Sequence, residues 1–351
     1  MSQSSDSFTE LSQKWYILMK NCYVRRWEMP TIYKLLIVFA YICLLAGCQQ
    51  EEYEPIAEKA NVAATINIKD MSVSFIDIDK QEKMAQWTLE KPYTGGVIFP
   101  DGDTFLLYGK DIDTIDLFSL SKGTMIDHWD VGEGIVNGLL INKDELAFAD
   151  ENQDSIRFFD LSGSEHATVD TEANPYTMTL SEKEGLLYVL SFDHEELTKI
   201  DANKKERLEG FTINPYASGA LLLEEQNELW VGGHGEGIDI EKNVHVYGTK
   251  TGELKTKISV PTMPVDFVQK DDWIYIVSHG SNTLYKVDKE GKVADSVTVT
   301  ANPFNIELAG EELLVAGYDS SDIQFINEDT LTVDKRVKVG EGPFQIVLRE
   351  K

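Results

Sequence analysis

No cysteine follows Cys48, and the three in the chain, Cys22, Cys43 and Cys48, all lie near its start. Everything downstream is therefore without a disulfide framework or a Cys-zinc site. Basic side chains are scarce as well: 32 Lys and Arg against 60 Asp and Glu leave a formal net charge of -28. Such a surface repels phosphate backbones and anionic headgroups, which excludes nucleic acid as a partner through any broad face. The longest apolar run, Leu35 to Ala46, has twelve residues, short of the roughly 17–25 that a membrane-spanning helix needs. Helical i, i+3, i+4 spacing is hard to find after residue 61. Common catalytic strings are missing too. "HEELT" at 194–198 fails the zinc-protease pattern at Thr198, "GEGIVN" at 132–137 fails the dinucleotide pattern at Asn137, and neither a P-loop nor a Gly-x-Ser-x-Gly elbow occurs. Enzymes that build a site from scattered loops are not excluded by these absences.

The twelve-residue apolar run, preceded by Lys34, has the length of a signal-peptide core. Leu45-Ala46-Gly47-Cys48 resembles the bacterial lipobox, in which the cysteine is acylated and becomes the mature N-terminus. Two acyl chains anchor stably where one is marginal. Asp6, Glu10 and Glu28 ahead of the run do not suit a signal peptide. Residues 1–28 are accordingly expected to be an untranslated upstream extension, with the start at Met29 and the signal over 29–47. Residues 48–60, polar, acidic and aperiodic, are expected to form the acylated cysteine and a flexible tether. Residues 61–351 then form the folded domain on the extracytoplasmic face of a bacterial membrane.

That domain repeats. Apolar runs at 105, 146, 187, 229, 274 and 313 ("FLLYGKD", "LAFADEN", "LYVLSFD", "LWVGGHG", "IYIVSHG", "LLVAGYD") recur with a period near 41 residues, and a weaker copy starts at 64. Short strands with turns at this period are the signature of propeller blades. The fold class is all-β: a seven-bladed propeller of four-stranded antiparallel blades, the first closed by the C-terminal strand around Gln345 to Leu348. Closure removes exposed sheet edges, so a monomer is expected.

Stacking the repeats aligns Lys69, Lys110, Glu151, Phe192, His234, His279 and Tyr318 in the turn between second and third strands. A second column is a proline corner before each inner strand: Pro92-Tyr93, Pro175-Tyr176, Pro215-Tyr216, Pro264-Val265, Pro303-Phe304 and Pro343-Phe344, which takes six of the ten prolines. Alternate connections of a meander share one rim. His234, His279, Tyr318, Lys69 and Lys110 should therefore converge with Tyr93, Tyr176, Tyr216, Phe304 and Phe344 at one mouth of the central channel. Turns such as "DKEG" at 288–291 should form the opposite rim. In the fifth blade "GGHGEGIDIEKN" replaces a short turn, and Glu236, Asp239 and Glu241 are candidate calcium ligands; no other cofactor is expected.

Residues 274–304, "IYIVSHGSNTLYKVDKEGKVADSVTVTANPF", resemble the YVTN-type β-propeller repeat, with its apolar strand, Gly-Ser-Asn-Thr turn, strand ending in Asp, valine-rich strand and proline corner. "YGKDIDTIDL" and "ADENQDSIRF" lack that turn. The resemblance implies a seven-bladed extracytoplasmic or surface protein and no single chemistry. The functional expectation is a lipid-anchored, non-enzymatic scaffold binding an unknown protein or small molecule at the channel mouth. The alternative is a lactonase-like or lyase-like enzyme with His234 and His279 as acid and base. A third class, supported by architecture alone, binds extended chains along the outer blade edges.

Overall fold

The computed structural model describes residues 52–349, and every regular element among them is a β-strand. The lipobox, the signal segment and the expected start at Met29 lie outside the described residues. Seven four-stranded antiparallel sheets form a closed ring of blades. The first blade consists of Val62–Asn67, Ser72–Asp77 and Glu82–Thr88, with Pro343–Arg349 from the other end of the chain as its inner strand. The inner strands of the second to seventh blades are Gly95–Ile98, Ile135–Asn142, Pro175–Ser181, Ala217–Leu223, Pro264–Lys270 and Pro303–Ala309.

Burial follows position within the blade. Second and third strands, such as Glu145–Asp150 and Ser155–Asp160, are sandwiched between neighbouring blades and read as nearly continuous buried runs. Outer strands are mostly exposed but keep an apolar anchor next to their last residue, as at Trp87, Trp129, Val169, Ile258 and Val337. The core is accordingly not one mass; it is a set of clusters, the largest joining the first blade to the second through Phe75, Trp87, Phe105 and Phe118.

The closing strand is pinned at both ends. Gln345 pairs with Ile66 and Arg349 with Val62, while the Arg349 guanidinium donates to the carbonyls of Ala57, Ala60 and Gly102. Residues 52–60 depart from the expected flexible tether. Tyr53 stacks on Trp87 with ring centroids 5.0 Å apart, Trp87 Nε1 donates to Glu54 O at 2.9 Å, and Ile56 is 1% exposed. The Tyr53 and Ile56 amides bond the carbonyls of Gly123 and Leu120. The segment lies along the rim that carries the third-to-fourth-strand turns.

Candidate functional site

In the third to seventh blades the turn-column residue is tied to the inner-strand corner of its own blade by a backbone bond to a residue of positive φ. Glu151, Phe192, His234, His279 and Tyr318 donate N–H to the carbonyls of Gly134, Asn174, Tyr216, Met263 and Asn302. Each acceptor residue has positive φ, between 53° and 119°, a conformation that costs a side chain such as Tyr or Met about 1–2 kcal/mol and suits Gly or Asn. This corner places turn and inner strand on one rim.

The next step is a bulge. Pro264 faces Ser278 and Asp266 faces Val277, so Val265 between them is unpaired. The same skip falls at Val136, Tyr176, Ser218, Phe304 and Phe344. A bulge re-aims its extra side chain, here towards the channel: Tyr176, Phe304 and Phe344 line a cavity of about 320 Å³ on the axis, together with His234.

The rings make an unbroken arc. Tyr176 packs against Phe192 at 6.0 Å between centroids, Phe192 against Tyr216 at 5.6 Å and His234 at 5.7 Å, His234 against His279 at 4.9 Å, and His279 on Phe304 at 4.9 Å. Phe304 then meets Tyr318 at 5.3 Å and Phe344 at 5.6 Å. Most contacts are edge-to-face, the geometry the ring quadrupole favours. Lys69 ends the arc with its ammonium 4.0 Å above the Tyr318 ring and 2.9 Å from Asp319. Lys110 pairs with Glu151 at 2.5 Å on the other side of the mouth.

The structure thus brings together His234, His279, Tyr318, Lys69, Tyr176, Tyr216, Phe304 and Phe344. Tyr93 is the exception. It lies ahead of Gly95 with no bulge beside it, is 5% exposed, and donates its hydroxyl to Asp116 inside the blade. Burial and that carboxylate drive its pKa upward. Tyr216 reaches the arc by another route, because Ala217 occupies the place that proline holds in other blades and the tyrosine takes the left-handed position. The three proposed calcium ligands do not converge. Glu241 turns onto His245 at 3.0 Å and accepts the amides of Lys242 and Asn243. Its pKa falls to about 2 because these bonds outweigh burial. Glu236 and Asp239 sit exposed on a small hairpin, and among the described residues no three His, Cys, Asp or Glu side chains converge as metal ligands.

The two histidines differ. Asn302 Nδ2 points at Asp319, which leaves Asn302 Oδ1 to accept from His279 Nδ1 at 2.7 Å. In its neutral form His279 then carries its proton on Nδ1, and Nε2 is a buried acceptor without a partner. His234 Nδ1 is likewise buried and unpartnered. Burial, with a smaller contribution from His279, lowers the His234 pKa to about 4.

Below the arc lies a ring that sequence reasoning missed. Asn137 Nδ2 donates to Tyr176 O at 2.9 Å, and Thr177 Oγ1 to Ser218 O at 2.6 Å. Asp266 accepts from Asn305 Nδ2 and Ile306 N, Asn305 Oδ1 from Ile346 N, and Gln345 Oε1 from Gly96 N. Each side chain follows a bulge and reaches the next blade. Where the fifth blade has Gly219 instead, a Cβ would lie 2.1 Å from Val265 O, so the backbones themselves touch. Burial raises the Asp266 pKa to about 6 against these hydrogen bonds.

No protein-family model and no curated protein sequence matches the chain. Solved structures do. A functionally unknown protein from Desulfotomaculum acetoxidans has 12% identity and a TM-score of 0.68, over 82% of this chain and 99% of that one. Hydrazine synthase of Kuenenia stuttgartiensis has 13% identity and a TM-score of 0.66, over 82% and 100%. The dihydro-heme d1 dehydrogenase NirN has 13% and 0.61, over 84% and 66%. At such identities the likeness is one of fold, and function lives in the site.

Proposed function

We propose that this chain is a lipid-anchored, extracytoplasmic propeller whose channel mouth is a non-enzymatic binding surface. The observation that carries the reading is the arc of rings from Tyr176 to Phe344 around an open cavity. Aromatic walls with a few polar groups at their base are the usual make-up of a small-molecule site. The docking of residues 52–56 supports the anchor geometry. Glu52 bridges to Thr124 on the rim opposite the mouth, and Cys48 precedes it by four residues, a reach of about 14 Å. Acylation there turns the mouth away from the bilayer.

The test is a thermal-shift screen of soluble metabolites and peptides, followed by affinities on variants. Hits should lose at least tenfold in affinity with Phe304→Ala or His279→Ala and be unchanged by Lys289→Ala on the opposite rim. Hits weakened by Lys289→Ala alone would refute the mouth as the binding surface. Turnover of a lactone, abolished in His279→Ala, would replace the scaffold reading with the enzymatic one.

A further inference from the structure

The cavity below the arc has a one-sided charge. The described residues lining it include two carboxylates, Asp266 and Glu307, and no Lys or Arg. Asp266 accepts from Asn305 Nδ2 at 2.6 Å, Ile306 N at 2.9 Å and its neighbour Phe267 N at 2.9 Å. All three donors are neutral. Hydrogen bonds from neutral donors orient a carboxylate but do not balance its charge.

The mouth already shows how it holds an ammonium. The Lys69 Nζ lies over the Tyr318 ring at 4.0 Å while bonding Asp319 at 2.9 Å, one cation between a π face and a carboxylate. Phe304, Phe344 and Tyr176 repeat the aromatic half of that arrangement over a cavity whose carboxylate half is Asp266. The whole-chain charge of -28 favours the approach of a cation and disfavours that of an anion.

We propose that the channel mouth binds a small organic cation, its ammonium or guanidinium directed to Asp266 and its apolar body stacked on Phe304, Phe344 and Tyr176. The inference rests on the mouth being the binding surface and adds the chemical class of what it binds. Rings and a carboxylate together select for positive charge, because the π face and the anion attract the same sign. A neutral congener keeps only the stacking; an anionic one meets Asp266 and Glu307 as like charges.

Three probes on one ring test this: benzylammonium, benzyl alcohol and benzoate, titrated calorimetrically at pH 7.5 into the full chain in detergent. Benzylammonium should bind at least tenfold more tightly than benzyl alcohol, and benzoate should give no heat. Asp266→Asn should cost benzylammonium at least tenfold and leave benzyl alcohol unchanged, whereas Phe304→Leu should weaken both. Should Asp266→Asn fail to fold, salt decides on the wild type: added NaCl should weaken benzylammonium and spare benzyl alcohol. Acetyl-lysine methylamide distinguishes sources, since its binding assigns the cation to a polypeptide side chain and its failure beside bound benzylammonium assigns a free molecule. Equal affinity for benzyl alcohol or benzoate overturns the charge inference and leaves the mouth reading intact. Failure of all three probes overturns the inference, and the screen on Phe304→Ala then judges the mouth separately.

Discussion

At the scale of single residues, His234 and Asp266 put opposite pH dependence into one channel. His234 has a folded-state pKa of about 4 against an ordinary value of 6.5, so its contribution to stability is lost as pH falls from about 6.5 to 4. Asp266 is raised to about 6 from 3.8, so its contribution is lost as pH rises through the overlapping window. His234→Phe keeps the ring contacts to Phe192 and His279 and removes the titration. The variant should therefore gain on the wild type by on the order of 1–2 kcal/mol between pH 6.5 and 4, a figure discounted for partial solvation. Urea melts at the two pH values check this, and parallel losses in both proteins would contradict it. His234 and His279 were legible in the sequence because the repeat aligns them. Asp266 was not: its ring is made of Gln345, Asn137, Thr177, Asp266 and Asn305, polar groups of four kinds that share a position after a bulge but no single letter. Hydrogen-bond reach to the next blade is a three-dimensional property.

At the scale of elements, closure by Pro343–Arg349 was legible because seven second-strand copies left one corner without partners. Its energetics can now be placed residue by residue. Ile346 is 1% exposed, Phe344, Val347 and Leu348 are partly buried, and Arg349 holds three carbonyls of the opposite rim. Fully burying an apolar side chain contributes about 1.5–3 kcal/mol, so losing this strand removes an amount comparable to the 5–15 kcal/mol that stabilises ordinary domains. Deletion of Phe344 to Lys351 should leave an insoluble or rapidly degraded chain. A truncated protein melting within a few degrees of the full length would contradict closure. The proline corners were legible only in part. Pro92-Tyr93 and Pro215-Tyr216 spell the same dipeptide as Pro175-Tyr176, yet their blades open their inner strands at Gly95 and Ala217 and not at the proline. An offset of two or three residues decides whether a tyrosine enters the blade, as Tyr93 does, or the mouth, as Tyr216 does. Residues 52–60 resisted for a different reason: Tyr53 and Ile56 dock singly into gaps between blades, and single contacts leave no period.

At the scale of the whole molecule, the two rims carry different features. The chain enters along one rim through the Glu52–Thr124 bridge and the Tyr53–Trp87 stack, and the aromatic arc occupies the other. Under the proposed acylation of Cys48 the first rim would face the bilayer and the arc would face outward. The seven-fold ring makes this division possible, because it fixes many short turns around one axis without requiring any of them for the core. The most direct measurement is photocrosslinking on intact membranes, with benzoylphenylalanine at Phe304 in the mouth or at Lys289 on the opposite rim, and adducts read by intact-mass spectrometry. The account predicts a ligand or partner adduct from position 304, lipid-associated adducts or none from 289, and an unacylated precursor that keeps its signal in Cys48→Ser. Ligand adducts confined to position 289, with 304 silent, would contradict it.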